Sequence, residues 1–551
     1  MNHDNSKGCF SWTGNIADVS HARLYRGTIH VSDGLIVQIE HLGEPQPGPV
    51  MVPGLIDAHL HVESTLLTPS SLAKALLPCG TLATLSDPHE IANVMGMEGL
   101  AYMLDDSEAC PLAYHFGAPS CVPATAFESS GACFGPADIG ALLDKPRIRY
   151  LSEMMNFPGV VAADPRVLAI IEQARRRGKP IDGHSPGLGG EALRKYVAEG
   201  ISTDHECTSI EEAREKAALG MHILIREGSS ARNASTLLPL LRECPLQCML
   251  CSDDLHPGDI EARGHIDHIL RKAVAAGLDP MDALRAATVN PVRHYGLPGG
   301  LLRIGDPADM VEMDGLSTFE ALRVWSAGRL VAEGGRCLWE GAPPRSVNRF
   351  DARPIEAAAL RIPARPGRAR VIEAIDGQLL TGSAFEAPLI SRGCAIADPE
   401  RDILQIAVLS RYAADAVPAL GFVRGFGLRE GAIASSVAHD SHNIVALGAD
   451  AESIARAINM VIAERGALVT VGAGRETVLP LPVAGLMSCL DWRKVVRLQR
   501  ELDQHAGELG AKVHSPHMLL SFMALPVIPA LKISDRGLFD VNTFRPVGLW
   551  E

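Results

Sequence analysis

The alternation of apolar and polar positions divides the chain into three kinds of segment. Near the N-terminus, residues 26–43 alternate apolar and polar side chains around an Asp33-Gly34 turn, which predicts short β-strands. The same pattern returns after residue 298. We therefore expect one small β-sandwich domain made of two separate stretches, residues 1–52 and 299–345.

The segment between them, residues 53–298, repeats a different unit. Short apolar runs end in polar or acidic residues and are followed by amphipathic helical stretches, with Thr68-Pro69 and Asp279-Pro280 as helix starts. The runs are VMVPGLIDAHLH, TLATLSDPHE, LAYHFGAPS, IRYLSEMM, PIDGHSPG, ISTDHE, MHILIREG and QCMLCSDD. Eight strand–helix units in one segment predict an α/β fold, a (β/α)8 TIM-like barrel.

The rest of the chain predicts a linker and another domain. Residues 346–368 are rich in Pro, Arg and Ala, which is typical of a connecting segment. Residues 369–551 mix strand patterns such as ALVTVGAG with helical patterns such as AESIARAINMVIAERG. We expect a C-terminal α/β domain there.

Composition and charge narrow the possible partners. The 551 residues are 47% apolar and 21% charged, as in globular proteins, with 65 acidic against 51 basic side chains. A net charge of −14 disfavours non-specific binding to nucleic acid or to acidic membranes. The sequence has no long apolar run and no export signal at its start, so we expect a cytoplasmic protein without nucleic-acid or membrane partners.

The twelve cysteines are scattered and predict reduced thiols. The Cys244, Cys248 and Cys251 group has no fourth partner nearby and runs into an apolar strand. Buried thiols therefore explain it better than a zinc site does.

The first candidate metal ligands lie in the segment Asp57-Ala58-His59-Leu60-His61, at the end of the first barrel strand. Because residues i and i+2 of a strand share a face, His59 and His61 present two imidazoles side by side. At the mouth of a barrel such a pair forms half of a divalent-metal site. Two histidines on a polar face are the alternative.

Four more candidate ligands follow later strands: Glu153, His184, His205 and Asp253. Each lies at or just past the end of a predicted barrel strand, so all four should converge on the same mouth. Together with His59 and His61, they supply enough donors for two metal ions that share a bridging carboxylate.

Long stretches of the sequence resemble bacterial adenine deaminases of the amidohydrolase superfamily. The matching motifs are VPGLIDAHLHVEST, LSDPHEIANVMG, SEMMNFPGV, DGHSPGLGG, MHILIREGSSARN, CMLCSDDLHP, VAHDSHNIV, PLPVAGLMS and ALPVIPALKIS. The resemblance implies hydrolysis of adenine to hypoxanthine and ammonia at a dinuclear Mn²⁺ or Fe²⁺ site, with Zn²⁺ also compatible. It also implies a homo-oligomer, with a dimer as the expected state.

The resemblance also implies roles by position. His59, His61, Glu153 and Asp253 would hold one metal ion, and Glu153, His184 and His205 the other. Glu153 would replace the carbamylated lysine that bridges the metals in many relatives of the wider superfamily.

A mechanism can be stated as a hypothesis. A hydroxide bound by both metals attacks the purine, and Asp253 takes its proton and passes it to the departing amine. Asp87, His89 and Glu90, in SDPHE, are candidates to bind the purine nitrogens, with His89 and Glu90 assisting catalysis. A helix-capping cluster is their alternative.

Weaker candidates lie elsewhere in the sequence. Ser185 and Arg226 are possible substrate contacts, and a turn or a loop tie explains each equally well. In the C-terminal domain, His439, His442 and Asn443 of HDSHN are expected to form part of the active-site wall, with a hydrogen-bonded turn as the alternative. His256 is expected to lie in a solvated loop. His265 and His268 are expected to form a surface or loop-facing pair.

Two other functions stay open. The chain could be another amidohydrolase, acting on a cyclic amide or a different aminopurine. It could also be a catalytically silent paralogue with a binding role, although that function predicts lost ligands and all six are present.

Overall fold

The structure is a computed structural model that describes residues 9–551. Its first four strands are β1 Phe10–Asp18, β2 Arg23–Ser32, β3 Leu35–Gly43 and β4 Val50–Pro53. Four further strands follow the barrel: β13 Met310–Met313, β14 Ala321–Ser326, β15 Arg329–Glu333 and β16 Arg336–Cys337. All eight belong to one sheet, in the order β16-β15-β14-β13-β4-β1-β2-β3.

This sheet folds over on itself. The ring of Phe10 in β1 stacks on Trp325 in β14 at a centroid distance of 5.7 Å, although β13 and β4 lie between those strands in the sheet. Trp12, Ile29 and Met310 are buried in the core between the two halves. The two outer segments of the sequence therefore combine as expected, while the exact domain limits stay a prediction.

The barrel strands are those that the eight apolar runs predict. They are β5 Leu55–Leu60, β6 Thr81–Ser86, β7 Ala113–Ala118, β8 Ile148–Met154, β9 Ile181–Gly183, β10 Thr203–Asp204, β11 His222–Arg226 and β12 Cys248–Cys251. They pair in parallel as two arcs, β5 to β9 and β10 to β12. The amide of Asp253 donates to His59 O at 2.9 Å and that of Ser202 to Ile181 O at 2.9 Å, which joins the arcs at both seams.

Helices surround this barrel. They are α1 Pro69–Leu76, α2 His89–Met95, α3 Met97–Ser107, α4 Pro136–Leu143, α5 Phe157–Val161, α6 Pro165–Arg176, α7 Gly190–Ala198, α8 Ile210–Ala218, α9 Ala234–Leu237, α10 Pro257–Arg263, α11 Ile266–Ala275, α12 Pro280–Ala286 and α13 Val289–Tyr295. Thr68 caps α1 by accepting a hydrogen bond from the Ser71 amide, and Asp279 caps α12 by accepting one from Met281. Both predicted helix starts are therefore present.

The C-terminal part is a layered α/β unit. Its strands are β17 Ile362–Pro363, β18 Ala369–Ala374, β19 Thr381–Glu386, β20 Leu389–Ser391, β21 Cys394–Ile396, β22 Leu404–Leu409, β23 Ala419–Arg424, β24 Ala432–Ser435, β25 Ile444–Gly448, β26 Ala467–Gly472, β27 Arg475–Pro480, β28 Leu531–Ser534, β29 Gly537–Asp540 and β30 Arg545–Pro546. Its helices are α14 Ala451–Ala463, α15 Trp492–Glu508 and α16 Pro516–Phe522. An eight-stranded sheet, β19-β18-β23-β22-β25-β24-β26-β27, lies at its centre.

Alternating residues cover the two faces of this central sheet. In β22, Ile406 packs in the core shared with α16, whereas Ala407 packs in the core shared with α14. The HDSHN segment joins β24 to β25. Among residues 9–551, no helix is both long enough and apolar enough to cross a lipid bilayer.

Candidate active site

The six predicted metal ligands meet at the mouth of the barrel, and all six are buried. His59 and His61 place their Nε2 atoms 3.1 Å apart. Glu153, in β8, turns one oxygen to each side. Its Oε1 lies 3.3 Å from His61 Nε2, and its Oε2 lies 2.7 Å from His184 Nδ1 and 3.1 Å from His205 Nε2. One carboxylate therefore spans two groups of imidazoles, as a bridging ligand would.

Asp253 lies opposite Glu153. Its Oδ1 is 3.5 Å from His59 Nε2 and 3.2 Å from His61 Nε2. The residue has a φ of 59°, a left-handed conformation that is uncommon outside glycine and concentrates at functional sites. The placement of Asp253 completes a ring of donors around the mouth.

This donor set suits divalent metal ions. Two imidazole nitrogens that face each other at 3.1 Å, with a carboxylate oxygen beside them, converge on one point. The other ring nitrogen of His59 is buried without a hydrogen-bond partner. His59, Glu153 and His205 form a second convergent group. Imidazole and carboxylate together are typical ligands of Mn²⁺, Fe²⁺ and Zn²⁺.

The two acidic ligands are held ionised. Burial acts to raise the pKa of Glu153, but His184 and His205 outweigh it and lower this pKa well below its usual value. Burial likewise opposes ionisation of Asp253, while Arg226 and the neighbouring histidines hold its pKa well below the usual value. Both groups therefore carry the negative charge that a cation needs.

Arg226 is an ion-pair partner of the site and also lines the outer cavity. Its guanidinium donates to Asp253 Oδ2 at 2.5 Å and forms a two-pronged pair with Glu206, including a contact of 3.0 Å to Oε2. These contacts orient Asp253, and a substrate contact at Arg226 stays a prediction. Sequence reasoning missed Glu206, although an acid directly after His205 was the available signal.

The SDPHE residues lie at the mouth of the barrel and include a hydrogen bond at the start of a helix, while their role toward the substrate stays a prediction. Asp87 Oδ1 accepts a hydrogen bond from the His89 amide at 3.1 Å and so caps the start of α2. The His89 ring faces the metal ligands, with Nδ1 3.5 Å from Glu153 Oε1. Both ring nitrogens of His89 are buried, and within residues 9–551 neither makes a hydrogen bond of good geometry. Carboxylates lie close to both, with Asp87 Oδ2 3.3 Å from Nδ1 and Glu90 Oε1 3.5 Å from Nε2.

Glu90 links the barrel to the C-terminal domain. His439 Nδ1 and His442 Nε2 each hydrogen-bond one of its two carboxylate oxygens. Burial acts to raise the pKa of Glu90, but His439, His442 and His89 lower it well below the usual value. Burial lowers the pKa of His439, yet Glu90 raises it to about 9. The HDSHN segment thus reaches the mouth of the barrel.

Asn443 contributes differently. Its side-chain amide donates to Ser129 O at 2.9 Å, and its oxygen accepts from the Arg411 amide at 3.2 Å. Asn443 therefore ties the HDSHN segment to a barrel loop and does not face the metal ligands.

The mouth contains a small inner chamber and a large outer cavity. The chamber, bordered by the metal ligands, His89 and Glu90, measures about 30 Å³, which is enough for a water molecule or two. Its cover comes from the C-terminal domain: Leu379, Phe522, Leu525 and Val527. An outer cavity of about 1140 Å³ adjoins it and shares Leu379 and Val527 with it. Leu525 and Val527 belong to the ALPVIPALKIS motif, whereas no sequence motif pointed to Leu379 or Phe522.

Two other candidate residues, Ser185 and His256, are buried and form hydrogen bonds with other side chains of the protein. Ser185 is fully buried and donates its hydroxyl hydrogen to Asp204 Oδ2 at 2.5 Å, so its predicted substrate contact has no support in this geometry. The expectation for His256 is wrong, because this residue is buried and bonded to Gln499 at 2.5 Å.

His265 also departs from its expectation. It is a buried residue that precedes α11, with Nε2 2.9 Å from Asp57 Oδ2. The three candidate zinc cysteines are free thiols, with Cys248 and Cys251 buried and Cys244 half-buried.

Comparison with known proteins gives matches over both large parts of the chain. Residues 50–331 match the amidohydrolase family, and residues 378–545 match the adenine deaminase C-terminal domain. The adenine deaminase of Salinibacter ruber is 51% identical over 538 residues, which are 97% of this chain and 98% of that protein. That of Methanosarcina barkeri is 48% identical over 548 residues, 98% of this chain and 99% of that protein. That of Methanothermobacter thermautotrophicus is 45% identical over 544 residues, with the same coverage.

Proposed function

The chain belongs to the amidohydrolase family, and from that premise we propose that it hydrolyses adenine to hypoxanthine and ammonia. The observation that supports this most is the convergence of six buried His and carboxylate side chains at the mouth of the barrel, five of which border a chamber that also contains His89 and Glu90. The nearly full-length similarity to adenine deaminases supports the same substrate.

The ligand set supports two divalent ions. His59, His61, Glu153 and Asp253 would hold one, and Glu153, His184 and His205 the other, with Mn²⁺ or Fe²⁺ as the proposed metals and Zn²⁺ as a compatible third. When bound, such a pair lowers the pKa of water so that it becomes a nucleophile at neutral pH. Glu206 lies 3.4 Å from His205 and supports the second group of ligands.

The residues of the chain supply proton transfer and orientation. Asp253, ionised beside Arg226, accepts the proton of the attacking water and returns it to the exocyclic amine, which leaves as ammonia. His89 and Glu90 face the chamber and are proposed to bind the purine ring nitrogens. Burial acts to lower the pKa of His89, but the nearby carboxylates raise it well above its usual value. His89 is therefore proposed to donate a proton to the ring and to regain one from the new hydroxyl group as the carbonyl of hypoxanthine forms. His439 and His442 fix the carboxylate of Glu90.

The alternatives make different predictions. A cyclic-amide hydrolase needs no proton donors facing purine nitrogens, so the position of His89 and Glu90 disfavours it. A silent paralogue would have lost ligands, whereas all six are assembled here. A dimeric state, a cytoplasmic location and the lack of nucleic-acid or membrane partners stay predictions.

The proposal is tested by substrate choice. Mn²⁺-loaded protein is incubated in parallel with adenine, adenosine, guanine and a hydantoin. Ammonia release is measured for the three purines, and the N-carbamoyl amino acid formed by ring opening is measured for the hydantoin. Ammonia release from adenine at a rate well above that from adenosine and guanine, without ring opening of the hydantoin, supports the proposal. Ring opening of the hydantoin, with no ammonia from adenine, would replace it by the cyclic-amide function.

A further inference from the structure

Lys532 in β28 is a fully buried lysine with an unusual set of partners. Its ammonium donates to two backbone carbonyl oxygens, Leu379 O at 2.7 Å and Phe522 O at 2.9 Å. Among residues 9–551, no carboxylate lies within ion-pair distance of it. Burial lowers the pKa of Lys532 to about 7, because only carbonyl dipoles offset the loss of water.

The two carbonyls belong to two of the residues that cover the inner chamber. Leu379 lies in the connection between β18 and β19, and Phe522 is the last residue of α16. Both border the chamber beside the metal ligands. The Phe522 ring also stacks on the His439 imidazole, at a centroid distance of 5.2 Å and an angle of 20°. Lys532 thus joins two cover segments that are far apart in sequence.

We propose that Lys532 is a positioning residue that holds the Leu379 and Phe522 segments closed over the inner chamber. It limits the access of solvent and small molecules to the metal ligands until substrate enters. The proposal rests on the proposed function only in placing the reaction in this chamber.

The chamber makes an opening movement necessary. A cavity of about 30 Å³ has room for water but not for a purine, whereas the outer cavity of about 1140 Å³ has ample room. Four residues border both cavities, Met155, Glu206, Leu379 and Val527, and a ligand that passes from one to the other must move between them. Leu379 and Val527 form the side of this passage that the C-terminal domain supplies. The hydrogen bonds of Lys532 are broken or stretched by a shift at Leu379.

The fold does not depend on Lys532 alone. The amide of Ile533 donates to Met523 O at 3.0 Å, and that of Ala530 donates to Thr381 O at 3.1 Å. These backbone bonds tie β28 to the same two segments. Removal of the ammonium is therefore expected to loosen the cover and leave the domain folded.

The test compares three variants of the full-length, Mn²⁺-loaded protein. Lys532→Met removes the ammonium and keeps the length of the side chain. Lys532→Gln keeps an amide donor. Thr381→Val is the matched control, because it removes two hydrogen bonds of a buried hydroxyl in the same region, one to Leu531 O (2.8 Å) and one from the Ala530 amide (3.2 Å). It leaves the carbonyls of Leu379 and Phe522 untouched. The two readouts are the rate at which EDTA removes Mn²⁺ and the separate kcat and KM for adenine.

Lys532→Met is expected to speed Mn²⁺ removal and to raise the KM for adenine by about tenfold each, the size of effect that loss of a charge-assisted hydrogen bond produces. Lys532→Gln should lie between Lys532→Met and the wild type, and Thr381→Val should match the wild type. The proposal is overturned if Lys532→Met loses Mn²⁺ at the wild-type rate, or if Thr381→Val accelerates the loss equally.

If the Lys532→Met variant fails to fold, the Lys532→Gln variant provides the test of the proposal. Faster Mn²⁺ removal in that variant supports the proposal, and an unchanged rate contradicts it. The rate at which EDTA removes Mn²⁺ reports how readily the cover opens, and its measurement requires no substrate. Failure of the wild-type protein to convert adenine would therefore count against the proposed function and not against the role of Lys532.

Discussion

His442 hydrogen-bonds the carboxylate of Glu90, a residue 352 positions earlier in the chain. Glu90 lies in the first turn of α2 at the mouth of the barrel, and His442 lies between two strands of the C-terminal sheet. This bond, with that of His439 to the other oxygen of Glu90, makes the C-terminal domain part of the chamber wall. The active site is therefore shared by both parts of the chain.

Substitution of His442 tests this shared wall. His442→Ala is expected to lower kcat for adenine by about tenfold to a hundredfold, because Glu90 loses one of its two orienting hydrogen bonds. Its metal content should stay unchanged, since His442 is not among the proposed ligands. Asn443→Ala should have a smaller effect, as Asn443 contacts a barrel loop. His21→Ala, at an exposed turn, is the control. If both His442→Ala and Asn443→Ala show wild-type turnover and metal content, the proposal that the HDSHN segment forms part of the active-site wall is wrong.

Asp253→Asn tests the proton shuttle. The amide keeps the size of the side chain but cannot accept the proton of water, so kcat is expected to fall by about 10²–10⁴-fold. Metal content should also fall, because Asp253 is a proposed ligand. Asp144→Asn, which alters an exposed ion pair with Arg177, is the matched control. An Asp253→Asn protein with fully loaded metal and more than a tenth of normal kcat would refute the assigned role.

The sequence predicted the metal ligands because they follow simple rules. His59 and His61 share a strand face, and Glu153, His184 and Asp253 lie at or just past strand ends, which in a parallel barrel all point to one mouth. These positions depend only on local periodicity and on the topology of the barrel.

Other residues of the site could not be predicted from local periodicity or from the topology of the barrel. Leu379 and Phe522 are apolar residues in a loop and at a helix end, and only the packing of one domain on another brings them to the chamber. The same limit explains the wrong expectation for His256. Its burial is caused by Gln499, on a helix 243 residues later.

Removal of the metal should both inactivate and destabilise the protein. A ligand that binds only the folded state adds about 2.7 kcal/mol of stability when present at 100 times its Kd. Dialysis against EDTA is therefore expected to lower the Tm and abolish ammonia release, and Mn²⁺ should restore both. The metal content of the restored protein should be near two per chain. An unchanged Tm and undiminished activity after verified metal removal would argue against a metal-dependent site.

The raised pKa of Glu128 predicts that the stability of the folded protein depends on pH. This buried residue accepts hydrogen bonds from Thr125, and burial, followed by the nearby Asp440, raises its pKa to about 8. The folded protein then binds a proton that the unfolded chain, with an ordinary Glu pKa near 4.5, has released. The stabilising contribution is complete below about pH 4.5 and is lost as the pH rises toward 8, by about 1.4 kcal/mol per unit at most.

Glu128→Gln should remove this dependence. Urea unfolding at several pH values between 5 and 8.5 is expected to show a decline in the free energy of unfolding for the wild type and a flatter profile for Glu128→Gln. Glu172→Gln, at a half-buried helix position that pairs with Arg176, controls for the loss of one charge. Parallel profiles for the wild type and Glu128→Gln would show that Glu128 is not protonated in the folded protein.

Conversion of adenine tests the central claim most directly. Purified, Mn²⁺-loaded protein is mixed with adenine, and the ultraviolet spectrum is followed together with the ammonia released. The account predicts that the spectrum of adenine is replaced by that of hypoxanthine, with one ammonia formed per adenine consumed and no conversion by the Asp253→Asn protein. An unchanged adenine spectrum, with metal bound and the protein folded, would contradict it.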